Sequence, residues 1–433
     1  MFLKIYCIIA FDDKNEGNDF CTPLILKTFL IMSKGKIISI VLLCLLIAGC
    51  ASNKIDELKP KVNDKNAITI ELFNNKTSYR LEPIKMSEFV DSIKFIILEE
   101  TKESLIKYPN KIFFTPEQIM VVDRDLGTIF FFDRNGKYLS KISKRGQGPG
   151  EYVSLSYCMF DEQKQQLIVY DNHVNKMLFY DFSGNLIREI FKFCEGTILR
   201  DIINLDNGNF LCYEFDGIGN ERIDEKYIGL WEVDADGKFI RSYFTYNVKL
   251  PTTFGSTYLQ RLHDGTISIT DNYHQDIYHY KNEALEKYIS YNIKGNKLPR
   301  YIGKTSRDGD MADMINVRAY SHQEKGDYII TLWLDHKFPR PQAFFSLFSK
   351  KDKKVLRYWD AFNSYDPAVP AVMSWMIDSN SSDILVCNLS INYIDEHLDN
   401  QNLPELVRDS LMSLSAKLGD SENPVLELLY IKK

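Results

Sequence analysis

The sequence predicts an all-β fold built from a repeated unit of four antiparallel strands, and two observations lead to that prediction. Aromatic residues make up 13% of the chain, with 25 Tyr and 27 Phe, and such residues favour strands. The segment "IMVVDRDLGTIFFFDRNGKYLSKI" from Ile119 is also repeated as "LIVYDNHVNKMLFYDFSGNLIREI" from Leu167, 48 positions later. The matched pairs are Asp123 with Asp171, Asp133 with Asp181, and Gly136 with Gly184. A fixed period of this size indicates a repeat architecture.

Turn sequences separate short runs of Ile, Val, Phe and Tyr within each repeat. "DRNG" and "DFSG" predict hairpin turns whose final glycine adopts a positive φ. Looser copies follow, with "DADG" at 234–237, Asp271 in the place of Asp123, and a fifth unit over 327–360. Six units of four antiparallel strands predict a six-bladed β-propeller, because a single blade cannot bury both of its faces.

The last blade needs a strand from the other end of the domain. We predict that residues 93–98 pair with the C-terminal strand 425–431 and so close the ring. An insertion over 391–422 interrupts this blade and contains a helical pattern, so the last blade carries a short helical insertion. Its predicted apolar face consists of Leu406, Leu411, Leu414 and Leu418.

The N-terminal region predicts export and lipid attachment. Residues 32–49 contain two lysines, a short apolar run and the small residues Ala48 and Gly49 before Cys50. This order resembles the lipobox of bacterial lipoproteins, which implies lipidation of Cys50; an ordinary signal peptide or an anchor helix is the alternative. We interpret 1–31 as lying upstream of the true start at Met32, 50–66 as a tether, and 67–433 as the propeller domain. The predicted location is the cell envelope, as an outer-membrane lipoprotein on the periplasmic or the surface face.

Charge and cysteine content exclude some classes of protein. A net charge of −6 argues against a nucleic-acid binder. The cysteines that follow Cys50 have no CxxC spacing and no neighbouring histidine at metal-ligand spacing, so we predict buried thiols; one disulfide stays open. These cysteines are Cys158, Cys194, Cys212 and Cys387.

The run "RGQGPGEY", residues 145–152, connects the outermost strand of the first blade to the innermost strand of the second. A phosphate loop needs GxxxxGK[ST], or GxGxxG followed by a helix, and this run leads into a strand. We therefore predict a structural connection in which glycine permits tight turns and Pro149 stiffens the chain.

Several segments together resemble a known family. These are "FDRNGKYLSKIS", "RGQGPGEY", "YDNHVNKMLFYDFSGNLI", "FVDSIKFIILEETKESLI" and "ENPVLELLYIKK". The chain resembles, over about residues 66–433, the six-bladed β-propeller lipoproteins of Gram-negative gut-type bacteria, a family similar to NHL-repeat propellers. The resemblance implies a fold and a cell-envelope location, and it implies no reaction.

The candidate binding residues lie on connections that open at one end of the propeller. The aspartates at the strand ends, Asp123, Asp171 and Asp271, are interpreted as caps of their own turns. Aromatic side chains at the central funnel, including Trp375, would suit a glycan or a peptide. The ligand-binding candidates are Arg145, Gln147, Glu151, Tyr152, His173, His274, Trp333 and His336.

Two functions follow from these residues. The first is a monomeric, lipid-anchored binding module whose partners are the membrane and a glycan, peptide or protein, with no cofactor and no catalytic residue. The second is a metal-dependent propeller enzyme, a lyase or hydrolase with Zn²⁺ or Ca²⁺. The resemblance implies it, since some propellers related to NHL repeats are metal-dependent lyases with histidine ligands from different blades, and His173, His274 and His336 imitate that arrangement. The sequence contains no GxSxG, HExxH or EF-hand pattern, which favours the first.

Overall fold

The computed structural model describes ten segments of the chain. They are 62–72, 81–194, 199–214, 229–245, 259–271, 275–293, 317–335, 342–361, 365–373 and 376–432. The predicted start, signal peptide and lipidation site, as well as His274, His336 and Trp375, lie outside these residues.

The described residues form mainly β structure. An N-terminal segment contains β1 (Ile68–Leu72), α1 (Met86–Phe89) and β2 (Val90–Ile97). Unit 1 contains β3 (Lys111–Phe114), β4 (Gln118–Asp123), β5 (Thr128–Asp133) and β6 (Tyr138–Ser143). Unit 2 contains β7 (Tyr157–Asp161), β8 (Gln166–Asp171), β9 (Lys176–Tyr180) and β10 (Leu186–Ile190). Unit 3 contains β11 (Asp201–Asn204), β12 (Phe210–Glu214), β13 (Gly229–Val233) and β14 (Phe239–Thr245).

The second half of the chain continues the same pattern. Unit 4 contains β15 (Leu259–Arg261), β16 (Ile267–Asp271), β17 (Asp276–Lys281) and β18 (Ala284–Ile293). Unit 5 contains β19 (Val317–Lys325), β20 (Tyr328–Asp335), β21 (Gln342–Ser349) and β22 (Lys354–Asp360). The last elements are β23 (Met376–Ser379), β24 (Ile384–Leu389), α2 (Ile391–Leu398), α3 (Glu405–Leu418) and β25 (Val425–Ile431).

Each of units 1–5 is a four-stranded antiparallel sheet whose strands follow chain order. Unit 6 is formed by β23, β24 and β25 together with β2 from the N-terminal segment. In that pair Ile97 lies opposite Val425 and Ile93 lies opposite Leu429, so the predicted pairing of the two terminal strands is confirmed. In addition, β1 extends unit 4 as a parallel fifth strand, and β23 of unit 6 pairs in parallel with β3 of unit 1.

Hydrophobic clusters lie between consecutive units. Leu178 of unit 2 packs with Ile129 of unit 1, for example, and Met159 of unit 2 packs with Trp231 of unit 3. Further clusters join unit 3 to unit 4, unit 4 to unit 5, unit 5 to unit 6 and unit 6 to unit 1. Each sheet therefore buries an apolar face against the sheet before it and the sheet after it, as the repeat pattern requires.

The predicted hairpin turns have the expected chemistry. Asp133 Oδ1 accepts hydrogen bonds from the N–H groups of Asn135 and Lys137, at 2.8 and 2.9 Å. The closing Gly136 has φ +91°, and a Cβ there would lie 2.1 Å from the carbonyl oxygen of Ile97. Glycine is therefore required both by the backbone conformation and by the close approach of unit 6.

The insertion in unit 6 contains two helices, one more than predicted. In α3 the buried residues are Val407, Leu411, Leu414 and Leu418, which follow the i, i+4, i+7, i+11 spacing of one face. The prediction that Leu406 belongs to this face is wrong: its side chain is 44% exposed, because it lies one position, about 100°, away from Val407.

The thiols of the described region are buried, and they form no disulfide with one another. These are Cys158, Cys194, Cys212 and Cys387, as the sequence predicts. Within the described segments, no helix is long and apolar enough to span a bilayer.

Candidate functional site

Each unit has two ends, which differ in the connections that they carry. The end with the unit-to-unit connections and the second–third turns, here called the connection face, includes 104–110, 124–127, 144–156 and 172–175. The opposite end, the hairpin face, carries the first–second and third–fourth turns and includes 115–117, 134–137, 162–165 and 182–185. The predicted site residues that the structure describes near units 1 and 2 all lie on the connection face.

Two buried aspartates organise this face. Asp123 Oδ2 accepts hydrogen bonds from the N–H groups of Lys107 and Tyr108 at 2.7 and 3.0 Å, and Oδ1 accepts one from Leu126 at 2.9 Å. Asp171 accepts the equivalent hydrogen bonds in unit 2, and one of them comes from the His173 N–H at 2.9 Å. Each carboxylate therefore ties the incoming connection to the second–third turn, so the interpretation of these aspartates as turn caps is confirmed.

The glycine-rich connection satisfies its own backbone groups. Glu151 Oε2 accepts the Gly148 N–H at 2.9 Å, and a Cβ on Gly146 would lie 2.0 Å from the same oxygen. Glu189 Oε2 of unit 2 accepts the Gly150 N–H at 3.0 Å. The N–H groups of Gly148 and Gly150, which a phosphate would use, therefore already have carboxylate partners from the protein itself.

Two of the predicted aromatic residues are core residues. The Tyr152 side chain is fully buried and donates its hydroxyl hydrogen to the Gly127 carbonyl at 2.8 Å. The Trp333 side chain is fully buried between units 4 and 5 and donates from Nε1 to Ser346 Oγ at 2.8 Å. The expectation that they line an open funnel needs correction, because neither ring reaches the solvent that a ligand would come from.

The polar members of the predicted set are accessible. Arg145, Gln147 and His173 have exposed side chains, and Glu151 is half-buried within its own turn. Arg145 Nη1 lies 3.5 Å from the Asp125 carbonyl oxygen, so the connection contacts the second–third turn of unit 1. The structure thus brings Arg145 close to that turn, while His173 lies on the corresponding turn of unit 2.

Three residues of this face are absent from the ligand-binding candidates predicted from the sequence. Tyr108 is 43% exposed. Partial burial, together with the phenol of Tyr320 of unit 5, raises the Tyr108 pKa above its ordinary value. The Arg124 guanidinium lies over the Tyr157 ring at 5.1 Å, in cation–π contact. Tyr157 is the first residue of β7, so its position at the start of an innermost strand is the signal that could have identified it.

Exposed apolar side chains also lie in the turns and connections of units 1 and 2. Leu126 and Val174 occupy the second–third turns of units 1 and 2, and Phe191 follows β10. Phe191 is 64% exposed and has the Lys176 ammonium 5.4 Å from its ring centre. Tyrosine, arginine and phenylalanine are the residue types that protein interfaces favour, so this face has the composition of a binding surface.

A second polar cluster lies between units 4 and 5. Glu324 Oε2 lies 3.1 Å from His279 Nε2, and Glu324 Oε1 lies 3.2 Å from Lys350 Nζ. Burial opposes ionisation of Glu324, but the hydrogen bond and charge of His279 and the charge of Lys350 lower its pKa to about 2. Burial also lowers the pKa of the neighbouring His322 to about 4. These contacts join two sheets, and they satisfy the charge of Glu324 within the protein.

Among the described residues, no group of three or more His, Cys, Asp or Glu side chains has an arrangement that could hold a metal ion. His173 belongs to the described residues, whereas His274 and His336, the other predicted ligands, do not.

Comparison with known proteins gives a family. The family described as "Domain of unknown function (DUF4934)" matches residues 67–430. The chain belongs to this family. A search of the curated proteins found no match.

Two solved structures from Bacteroides are similar to this DUF4934 protein. A predicted exported protein from Bacteroides fragilis has a TM-score of 0.64 at 16% identity, over 85% of this chain and all of its own. A member of the DUF4221 family from Bacteroides vulgatus has a TM-score of 0.50 at 10% identity, over 82% of this chain and 99% of its own. At these identities the likeness shows a shared fold and carries no ligand.

Proposed function

We propose that this DUF4934 protein is a six-bladed β-propeller, anchored in the cell envelope by a lipid on Cys50, that binds a peptide or protein through its connection face. The six four-stranded units and the apolar clusters between consecutive units support the propeller. The similar protein of Bacteroides fragilis, which is a predicted exported protein, supports an envelope location. The lipobox order before Cys50 supports the anchor.

The observation that carries the binding function is the exposed aromatic and cationic surface of units 1 and 2. Tyr108 and Arg124 are exposed on the connection face, and the Arg124 guanidinium lies over the half-buried Tyr157 ring, beside the exposed Leu126 and Val174. Aliphatic side chains interspersed with Tyr and Arg suit a polypeptide partner, in which apolar anchors meet a polar rim. A glycan also stacks on tyrosine, so the binding of a glycan would contradict a polypeptide partner.

A matched pair of arginines allows a controlled test. Arg124 lies over the Tyr157 ring at 5.1 Å on the connection face, and Arg134 lies over the Phe114 ring at 5.2 Å on the hairpin face. Wild-type protein and the Arg124→Ala, Tyr108→Ala and Arg134→Ala variants would be tested on peptide and glycan arrays. We expect peptide binding that falls at least about tenfold in the first two variants, since a central anchor contributes roughly 2 kcal/mol, and survives in Arg134→Ala.

Two results of that test would contradict the proposal. Equal losses in Arg124→Ala and Arg134→Ala would show that charge, and not the connection face, governs binding. Binding to glycans alone would replace the polypeptide partner with a carbohydrate. Metal analysis of the purified protein would test the alternative enzyme: stoichiometric Zn²⁺ or Ca²⁺ that depends on His173 would favour it over the binding module.

A further inference from the structure

Two buried cysteines meet at the junction of units 2 and 3. Cys194 follows β10 in the connection between the two units, and Cys212 lies in the middle of β12 of unit 3. Their side chains are 4% and 0% exposed, and both belong to the apolar cluster of this junction. The two thiols lie within hydrogen-bonding reach of each other. The fold therefore brings into contact two sulfur atoms that are 18 positions apart in the chain.

Contacts of the neighbouring residues hold the two segments in this position. The ring of Phe193, which precedes Cys194, lies 5.3 Å from the ring of Phe210, which belongs to the same strand as Cys212. The Phe193 N–H donates to the Asn175 carbonyl of unit 2 at 2.8 Å. The connection is therefore bonded to unit 2 and packed against unit 3 directly beside the two thiols.

The other two cysteines of the described region lie in different junctions. Cys158 belongs to the cluster between units 1 and 2, and Cys387 belongs to the cluster between units 5 and 6. Both are buried to the same degree as Cys194 and Cys212, at 4% and 0% exposed. The chain thus contains two matched controls for the contact between Cys194 and Cys212.

We propose that Cys194 and Cys212 form a disulfide bond when the protein folds in an oxidising compartment, which ties the connection between units 2 and 3 to β12. Each thiol loses one proton and one electron, the two sulfurs form a bond, and the disulfide of a small or protein oxidant is reduced to two thiols. Thiols in contact need only side-chain rotation to reach the S–S bond length of about 2 Å. The bond would also restrain the segment that carries Phe191, which is 64% exposed.

Burial determines when this bond forms. The thiolate is the species that attacks a disulfide. Burial, together with the hydrogen bond and proximity of Cys194, raises the pKa of Cys212 well above its ordinary value. A folded, reduced protein should therefore oxidise slowly, so the bond forms during folding, before the apolar cluster closes. The same burial then protects the bond from external reductants, as in other structural disulfides.

Peptide mapping of refolded protein tests the pairing. Trypsin cleaves after Arg200, between the two cysteines, so a disulfide would link peptide 193–200 to peptide 201–222. The full chain would be unfolded, refolded in reduced and oxidised glutathione, alkylated, and digested without reduction. We expect this linked pair to be at least about tenfold more abundant than any linkage of Cys158 or Cys387, because the fold holds only the first pair in contact.

A second preparation avoids refolding and separates the pairing from the location. Protein exported to the envelope of expressing cells would be alkylated at lysis and mapped in the same way; in the cell, the inference rests on the proposed envelope location. The linkage in either preparation supports the pairing, and its absence from both overturns it, leaving two packed thiols. The linkage after refolding alone would keep the pairing and contradict an oxidising envelope location. The oxidised protein should also melt about 5 °C above the reduced protein.

Discussion

The junction of units 1 and 2 and the junction of units 4 and 5 use the same strand pattern but different chemistry. The first is filled by apolar residues, such as Ile129 and Leu178, together with the buried Tyr152. The second is apolar around Trp333, but it also contains the ionic cluster of Glu324, His279 and Lys350. The repeat therefore determines the sheets, while different side chains stabilise each junction between them.

This difference has a physical consequence for the sensitivity of each junction to pH. Apolar burial depends little on proton concentration, so the junction of units 1 and 2 should tolerate acid. An ionised carboxylate held by buried partners contributes stability only while it stays ionised. The junction of units 4 and 5 should therefore be the acid-labile junction of the two.

The largest expected effect is loss of the indole at the second junction. Trp333→Ala removes a fully buried side chain and leaves a cavity between units 4 and 5, which costs about 3–5 kcal/mol in the free energy of unfolding. Trp333→Phe is the matched control, because it keeps an aromatic ring and removes the Nε1 bond to Ser346. Urea unfolding measures both, and equal small losses would contradict the core assignment of Trp333.

A smaller effect is expected from the ionic cluster. Glu324→Gln removes the charge that His279 and Lys350 face, which costs roughly 2–3 kcal/mol at pH 7, less than a fully buried pair because both partners are about a quarter exposed. The Glu324 pKa falls from 4.5 to about 2 on folding, so its stabilisation is present above pH 4.5 and is lost as pH falls through 2.

His322 extends the acid-sensitive range upward. Its pKa falls from 6.5 to about 4 because burial disfavours the charged ring, so stability is present above pH 6.5 and is lost as pH falls through 4. At the first junction, burial raises the Tyr152 pKa from 10.0 to about 12, so that contribution is lost only as pH rises through 12. Urea unfolding between pH 7 and 3 should show a shallower decline in Glu324→Gln than in wild type; parallel declines would contradict the comparison.

The first junction has a weak point of a different kind, in its backbone. Gly150 has φ +68°, and a Cβ there would lie 3.1 Å from Leu186 Cδ2. Gly150→Val should therefore cost about 1–3 kcal/mol, since a β-branched side chain is disfavoured in this conformation. Gly148→Val is the matched control, because Gly148 lacks a positive φ and its Cβ would meet Glu151 Oε2 at 3.1 Å. Thermal melting should rank Gly150→Val below Gly148→Val, and the reverse order would refute the backbone argument.

The sequence predicted the parts of this molecule that repeat. The turn at Asp133 and Gly136, the pairing of Ile97 with Val425 and the buried thiols all follow from local pattern and strand count. Strand periodicity alone could not show which aromatic residues point between sheets. Trp333 alternates towards unit 4 and is buried, whereas Tyr108 lies in a connection that has no periodicity, so its exposure depends on tertiary contacts.

The smallest expected effect on stability comes from Arg145, and it separates the fold from the binding face. Its guanidinium is exposed and approaches the Asp125 carbonyl at 3.5 Å, so Arg145→Ala should cost at most about 1 kcal/mol. Because Arg145 lies on the connection face beside the turn that carries Arg124, the same variant should weaken peptide binding. Melting and binding measured on one preparation decide between the two roles. A marked loss of stability with unchanged binding would make Arg145 a structural residue. The proposed binding surface would then contain Tyr108 and Arg124 but not Arg145.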